Sequence, residues 1–267
     1  MRRQAILLIT SVAVALVAVS GVTLADDISC PNVPGTNQCV GTFTADTMTG
    51  IPQADDMSGL GGQDTMLAKG GRDRLEGGGG NDFLSGGNGD DTYVFSANWG
   101  VDRIPADGEG AGMGTKDALD FSSSLLLEPL DVDLVSSADR DEVYSVYSGA
   151  GVLNFPATVE IENVTGGKAR DVVRGTDGTN DLSGEGGNDS LYGRGGDDNL
   201  IGGSGADALI GGLGADDLEG GPGNDTIDVK DGQTDSVDCG LGADTVFFDE
   251  GIDSLTDDCE NRNPPQQ

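Results

Sequence analysis

Residues 184–228 read GEGGNDSLY GRGGDDNLI GGSGADALI GGLGADDLE GGPGNDTID, which is one nine-residue pattern repeated five times. When each unit is numbered 1 to 9, positions 1 and 4 are glycine, position 6 is aspartate and position 8 is a large aliphatic residue. This period is shorter than that of helical or propeller repeats and is typical of a β-solenoid. The stretch therefore predicts short stacked strands joined by glycine-rich turns.

The same register extends well beyond these five units. One inserted residue after Asp228 shifts the frame, and position 8 stays apolar or aromatic from Met48 to Leu255. Position 6 falls in a first array on Asp46, Asp55, Asp64, Asp73, Asp82 and Asp91, and in a second array on Asp171, Asn180, Asp189, Asp198, Asp207, Asp216, Asp225, Asp235, Asp244 and Asp253. Chance does not keep an acid and an apolar residue in phase over two such arrays.

Each unit divides into a six-residue turn and a three-residue strand. Glycine at positions 1 and 4 is expected to adopt backbone angles that a β-carbon forbids. Side chains alternate along a strand, so Leu191 in the triplet Ser190 to Tyr192 should face the core while its neighbours face outward. One aliphatic side chain per nine residues makes a thin core, and ordering the turns costs conformational entropy. A bound metal ion is therefore expected to stabilise the fold.

The residue types indicate which metal this is. Carboxylate and main-chain carbonyl oxygens suit a hard cation, and Ca²⁺ takes about 6–8 such ligands in a flexible geometry. The chain has no histidine, which excludes zinc or copper held by imidazole. The candidate calcium ligands are Asp46, Asp55, Asp64, Asp73, Asp82, Asp91, Asp171, Asp189, Asp198, Asp207, Asp216, Asp225, Asp235 and Asp244.

The repeats resemble the RTX, or haemolysin-type, calcium-binding repeats of secreted bacterial proteins. This resemblance implies an all-β fold, a parallel β-roll (a calcium-loaded β-solenoid) in which two successive nonapeptides make one full circuit. It also implies that each calcium ion lies between one turn and the next turn on the same edge. Asp189 would then share an ion with Asp207, and Asp198 with Asp216.

Several units depart from the repeat pattern, and their calcium sites are expected to be the weakest, some of them metal-free caps. Asn180 replaces the aspartate at position 6. The second glycine is replaced by Thr44, Gln53, Ala169 and Gln233, and the first by Lys230 and Phe248.

The four cysteines of this chain are expected to pair, because the start of the chain indicates export to an oxidising compartment. Three connectivities are open, and we favour Cys30–Cys39 and Cys239–Cys259. Cys239 occupies position 1, and one circuit of 18 residues later lies Asp257, only two residues before Cys259. Adjacent strands lie about 4.8 Å apart, so Cys259 is within bonding reach of Cys239. Each bridge would cap one end of the solenoid.

The start of the chain indicates export. Arg2 and Arg3 precede an apolar run, and a small-residue exit at Ala25 predicts a secretory signal peptide over residues 1–25. An uncleaved membrane anchor is the alternative. The formal net charge of −33 argues against nucleic acid as a partner. We expect a secreted, extracellular monomer with no membrane insertion after signal cleavage.

The segments follow from these patterns. The predicted order is an N-terminal disulfide cap over 26–40, a first array over 41–94, an irregular β-rich insertion over 95–165, a second array over 166–228, and degenerate repeats with a C-terminal disulfide cap over 229–267. The insertion either continues the solenoid between the two arrays or forms a ligand-binding element around Trp99, the only tryptophan. We favour the first interpretation.

The residue types do not favour catalysis. Without histidine there is no H-E-x-x-H zinc site and no Ser-His-Asp triad, although paired carboxylates leave glycoside chemistry open. We therefore predict a calcium-binding protein that is not an enzyme. The alternatives are a calcium-dependent adhesion protein with cell-surface or matrix polysaccharide as partner, and a cryptic polysaccharide-modifying enzyme.

Overall fold

The computed structural model describes residues 26–30, 36–96, 99–105, 116–122, 129–134, 143–148, 151–156 and 161–263. All regular structure among them is β-strand. The strands are β1 Asp26–Ser29, β2 Gln38–Val40, β3 Asp46–Thr49, β4 Asp56–Ser58, β5 Gly61–Gly62, β6 Thr65–Leu67, β7 Arg74–Glu76, β8 Gly79–Gly80, β9 Phe83–Ser85, β10 Thr92–Val94, β11 Gly100–Arg103, β12 Asp117–Asp120, β13 Asp131–Asp133, β14 Val143–Ser148, β15 Gly151–Pro156, β16 Ile161–Thr165, β17 Val172–Arg174, β18 Asp181–Ser183, β19 Ser190–Gly195, β20 Asn199–Ile201, β21 Ala208–Leu213, β22 Asp217–Glu219, β23 Pro222–Gly223, β24 Thr226–Asp228, β25 Ser236–Asp238, β26 Leu241–Gly242, β27 Thr245–Phe247, β28 Ser254–Leu255 and β29 Asn261–Asn263.

Two long sheets hold most of these strands. Successive repeats alternate between them, so one sheet runs β1-β3-β6-β9-β11-β15-β14-β13-β17-β19-β21-β24-β27-β29 and the other runs β2-β4-β7-β10-β12-β16-β18-β20-β22-β25-β28. Two minor sheets, β5-β8 and β23-β26, lie in the turns. The expected parallel β-solenoid is therefore confirmed.

The pairing register confirms that two nonapeptides make one full circuit, which we call a rung. Leu191 in β19 is opposite Leu209 in β21, and Leu200 in β20 is opposite Leu218 in β22. The position-8 side chains of both sheets are buried and form one continuous core, which runs from Met48 through to Val246. The alternation inferred from the triplets is also confirmed, because β19 and β20 bury their central leucines and only half-bury the flanking residues.

The insertion does not divide the solenoid. In the second sheet β10, β12, β16 and β18 pair in parallel without a break. In the first sheet the antiparallel hairpin β14–β15 lies between β11 and β13 and keeps the sheet continuous. Inside this region Trp99 is 1% exposed and packs on Phe95 and Phe121, with ring centroids 4.8 and 5.9 Å away. The structure thus supports the interpretation in which the solenoid continues from one array into the other.

Both expected disulfides are present. Cys30–Cys39 and Cys239–Cys259 have Cα–Cα distances of 5.1 and 5.2 Å. Cys39 is aligned with Met57 of the next rung, so this bridge closes the first end of the apolar core, and Cys239 and Cys259 are buried at the other end. The expected signal peptide lies outside the described residues. Among the residues that the structure describes, no helix is long and apolar enough to span a membrane.

The expectation about glycine backbone angles is confirmed at most position-4 glycines and wrong at position 1. The position-1 glycines, such as Gly184 and Gly202, do not have positive φ angles; the left-handed residues lie at positions 2 and 4, as in Gly203 (φ 94°) and Gly205 (φ 147°). The constraint on the position-1 glycines is space instead, although this position is held in other units by Ala68, Lys230, Cys239 and Phe248. A methyl group at Gly184 would lie 2.5 Å from Asp189 Oδ2 and 2.6 Å from the carbonyl oxygen of Gly202, closer than real side chains approach.

Candidate metal centre

The position-6 side chains form a ladder along each edge of the solenoid. From Asp64 onward in the first array and from Asp189 onward in the second, each carboxylate accepts, through Oδ1, a hydrogen bond from the main-chain N–H of the position-6 residue one rung earlier. Asp171 N donates to Asp189 Oδ1 at 2.7 Å, Asp189 N to Asp207 Oδ1 at 2.7 Å, and Asp198 N to Asp216 Oδ1 at 2.9 Å. The residues that the resemblance expected to share an ion are therefore direct neighbours in the structure.

The second carboxylate oxygen distinguishes two kinds of turn. In the first kind, which we call open turns, Oδ2 is buried and has no hydrogen-bond partner among the described residues, while the aspartate is at most 3% exposed. The open turns are those of Asp64, Asp73, Asp82, Asp102, Asp189, Asp198, Asp207, Asp216, Asp225, Asp235 and Asp244. Burial of a carboxylate oxygen without a hydrogen-bond partner destabilises the fold. These atoms are therefore candidate ligands for a cation.

In the second kind, the closed turns, the oxygen that faces position 1 accepts a hydrogen bond from the N–H at position 2 of its own turn. Closed turns occur at Asp46, Asp55, Asp171, Asn180 and Asp253. Three of these, Asp46, Asp55 and Asp171, are among the aspartates that the sequence offered as calcium ligands.

Main-chain carbonyls border the open oxygens of Asp64, Asp189, Asp198, Asp207 and Asp225. The space around the position-1 α-carbon is bounded by the carboxylate of its own turn and by the position-1 carbonyl of the next rung. At Gly202 these are Asp207 Oδ2 and Gly220 O, which would lie 2.8 and 2.7 Å from an added methyl group. Within the described part of the chain, no group of three or more acidic, cysteine or histidine side chains is placed to hold a metal ion by itself, so a cation here would draw many of its ligands from the main chain.

Burial changes the protonation of the open carboxylates. It raises the pKa of Asp189 from 3.8 to about 7, although the hydrogen bond from Asp171 N–H lowers it in part and the carboxylates of Asp171 and Asp207 raise it further. Burial likewise raises the pKa of Asp64 to about 7 and that of Asp102 to about 8. Burial and the neighbouring carboxylates therefore disfavour the ionised form of these groups in the metal-free fold. A bound dication would hold them ionised.

The acid ladder also contains residues that the nine-residue spacing missed. Asp82 N donates to Asp102 Oδ1 at 2.8 Å, Asp91 N to Asp117 Oδ1 at 2.9 Å, and Asp117 N to Glu162 Oε2 at 3.0 Å. At the C-terminal end, Asp244 N donates to Glu260 Oε2 at 3.0 Å. The available signal was local: Asp102 and Asp117 each precede an apolar residue by two positions, as position 6 precedes position 8.

Comparison with known families agrees with this geometry. One family model describes four consecutive copies of the RTX calcium-binding nonapeptide repeat. This model matches residues 58–93, 67–102, 160–191, 174–209 and 192–227. These segments fall in both arrays and contain most of the open turns. A search of curated proteins finds no match.

Proposed function

We propose that this chain, whose nonapeptides are RTX calcium-binding repeats, is an extracellular calcium-binding protein that folds around ions held between successive rungs. One observation carries the proposal: in the eleven open turns the carboxylate Oδ2 is buried and has no protein partner among the described residues. The regular repetition of this feature along both edges is what a row of cation sites requires.

The donor set favours calcium over other ions. Sites such as that of Asp207 offer the free Oδ2 of one aspartate beside a main-chain carbonyl oxygen of the next rung, here Gly220 O. Hard oxygen ligands in a flexible loop suit Ca²⁺, whereas Mg²⁺ requires a strict octahedron and keeps its waters. The ion would supply positive charge between rungs, where the chain itself places two neighbouring carboxylates.

The extracellular location is supported by the covalent structure. Disulfides persist in oxidising compartments, and the structure has one at each end of the apolar core. Calcium sites of extracellular modules work at about 10⁻⁴–10⁻³ M. The proposed signal peptide at residues 1–25 agrees with this location, and N-terminal sequencing of the secreted protein tests whether cleavage occurs before Asp26.

Calorimetric titration of the calcium-depleted protein tests the calcium proposal. We expect several ions to bind at roughly millimolar calcium, and magnesium at the same concentration to give little heat. Equal binding of the two metals, or no binding of either, would contradict the proposal.

Polysaccharide binding stays a prediction. The aromatic cluster of Phe95, Trp99 and Phe121 is buried, so it does not offer a stacking surface for a sugar. On the outer face of the first sheet, the Arg174 guanidinium lies 5.5 Å from the ring centroid of the half-buried Tyr192, which leaves less aromatic surface for a glycan. A glycan array probed with and without calcium decides the question.

We also propose that the protein is not an enzyme. A carboxylate pair that performs acid–base catalysis needs two unlike environments, whereas Asp189, Asp198 and Asp207 each make the same hydrogen bond to the preceding rung. Calcium-loaded protein should leave alginate, pectin and other uronate polymers intact. Cleavage or epimerisation of any of them would show the proposal to be wrong.

A further inference from the structure

The closed turns form a regular pattern along the solenoid. The first array starts with two of them, at Asp46 and Asp55, and the second array starts with two more, at Asp171 and Asn180. Since neighbouring units lie on opposite edges, each pair makes up one complete rung. A fifth closed turn, at Asp253, lies at the last repeat.

The hydrogen bonds of the closed turns are short and well placed. Thr42 N lies 2.6 Å from Asp46 Oδ2, Ile51 N lies 2.7 Å from Asp55 Oδ2, and Gly167 N lies 2.7 Å from Asp171 Oδ2. Each donor therefore occupies the carboxylate oxygen that stays free in an open turn. An N–H carries partial positive charge, so it satisfies the oxygen and would repel a cation placed beside it.

The main chain at position 2 changes conformation between the two kinds of turn. None of the position-2 residues in closed turns has a positive φ. In open turns position 2 is left-handed, at Leu60, Lys69, Gly78, Glu185, Arg194, Gly203, Gly212, Gly221 and Gly240. The turn of Asp235, whose position 2 is Asp231, is an exception, and position 2 of the Asp102 turn lies outside the described residues.

Four of the left-handed residues are not glycine, which makes their conformation informative. Leu60, Lys69, Glu185 and Arg194 have φ between 68° and 82°, a region that side chains other than glycine seldom occupy without cause. With this backbone, the position-2 N–H does not bond to the carboxylate. The turn thereby leaves its Oδ2 free at the expense of local strain, which a bound ion would offset.

Protein groups also occupy the closed turn of Asn180. The Thr176 hydroxyl donates to Asn180 Oδ1 at 3.2 Å, and the guanidinium of Arg194 donates to the carbonyl of Gly175 at 2.7 Å. The carbonyl that borders the Asn180 oxygen in the way seen in open turns is Gly193 O, one rung later, so the Arg194 contact pairs the position-1 carbonyl of this turn itself. The carboxamide oxygen of Asn180 is thus satisfied by Thr176 and carries no negative charge to attract calcium.

We infer that calcium occupies only the open turns and that each array begins on one metal-free rung, closed by its own position-2 N–H groups. This inference rests on the proposed calcium function and divides the predicted ligands. The aspartates of the eleven open turns bind the ions. The closed turns of Asp46, Asp55, Asp171 and Asp253 hold their shape without metal.

Two matched substitutions on one edge test this division. Asp55 and Asp73 lie on consecutive rungs, and each has one oxygen that accepts an N–H and one buried oxygen without a partner among the described residues. Asparagine retains one acceptor in either position. Native mass spectrometry of the full chain in calcium should count the same ions in Asp55→Asn as in the wild type, and at least one fewer in Asp73→Asn.

Asp235→Asn provides the second variant. Its unit lacks both pattern glycines, yet its turn is open, so we expect it to lose an ion as Asp73→Asn does. Equal losses in Asp55→Asn and Asp73→Asn, or a full count in Asp73→Asn and Asp235→Asn, would overturn the division while the wild-type count still supports calcium binding. A wild-type protein without calcium would overturn both the division and the proposed function. Circular dichroism in saturating calcium identifies any variant that fails to fold.

Discussion

The main-chain N–H of Asp189 donates a hydrogen bond of 2.7 Å to Oδ1 of Asp207, one rung later on the same edge. This bond fixes the orientation of the Asp207 carboxylate and leaves its other oxygen, Oδ2, buried and directed at the main chain around Gly202. The same relationship repeats along both edges. A single main-chain contact therefore aligns the carboxylates into rows.

Gly202 should be intolerant of even the smallest side chain. In Gly202→Ala the methyl group would approach Gly220 O and Asp207 Oδ2 at 2.7 and 2.8 Å, and overpacking of this kind costs about 1–3 kcal/mol. We expect weaker calcium binding and a lower melting temperature in calcium. Gly178→Ala is the control, because its nearest atom, Thr176 Oγ1, is 3.7 Å away. Similar losses in both variants would contradict the crowding.

The apolar core should depend on single leucines. Leu209 is fully buried between Leu191 and Ile227 of the adjacent rungs, and truncation of such a leucine to alanine costs about 2–5 kcal/mol. Denaturant unfolding of Leu209→Ala in saturating calcium measures the loss. Leu213→Ala serves as the control, since Leu213 is 64% exposed and should change stability little. If both variants unfold at the same denaturant concentration, position 8 does not form the core.

Calcium affinity should fall as the pH falls from about 8 to about 5. The pKa of Asp189 is raised to about 7 and that of Asp102 to about 8, so protons compete with calcium for these carboxylates within this range.

The stability of the metal-free fold should change with pH in the opposite direction. A raised folded pKa means that folding takes up protons, so the calcium-depleted protein gains stability as the pH decreases toward the unfolded value of 3.8. Calcium titrations at several pH values check the first trend, and melting of calcium-depleted protein checks the second. An affinity independent of pH would contradict the burial of these groups.

The C-terminal disulfide should secure the last rungs only. In the chain-entropy model a bridge across a loop of this size stabilises by about 3 kcal/mol, and Cys239–Cys259 encloses β26 to β28. In a variant with both cysteines replaced by alanine, hydrogen exchange should accelerate from Asp235 to Asp253 and stay slow around Leu200. Loss of protection from Gly184 onwards would show instead that the bridge organises the whole solenoid.

The sequence predicted the architecture because a strict period transfers directly to three dimensions. The triplet around Leu191 and the alternation between two sheets follow from nine residues per unit and two units per rung, and the favoured Cys239–Cys259 pairing was argued from the same frame. The hairpin β14–β15 did not follow, since nothing in residues 143–156 repeats. Asp102, Asp117 and Glu162 were missed as ladder members because loops of other lengths separate them.

The two kinds of turn were only partly visible in the sequence. Thr44, Gln53 and Ala169 replace the second glycine, and their units are closed. Gln233 makes the same replacement, yet its unit is open. Apart from the Asp235 turn, the feature that separates the two kinds of turn is the backbone at position 2, where Glu185 and Arg194 are left-handed, and neither residue type favours that conformation by itself.

Far-ultraviolet circular dichroism of the disulfide-intact, calcium-depleted protein during calcium titration tests the central claim most directly. Because the sites require neighbouring rungs to be assembled, binding free energy becomes folding free energy. We expect a largely disordered spectrum near neutral pH without calcium and a cooperative gain of β-structure as calcium approaches about 10⁻⁴–10⁻³ M. A spectrum that is already β-rich without calcium, and that stays unchanged throughout the titration, would contradict the claim that calcium holds the rungs together.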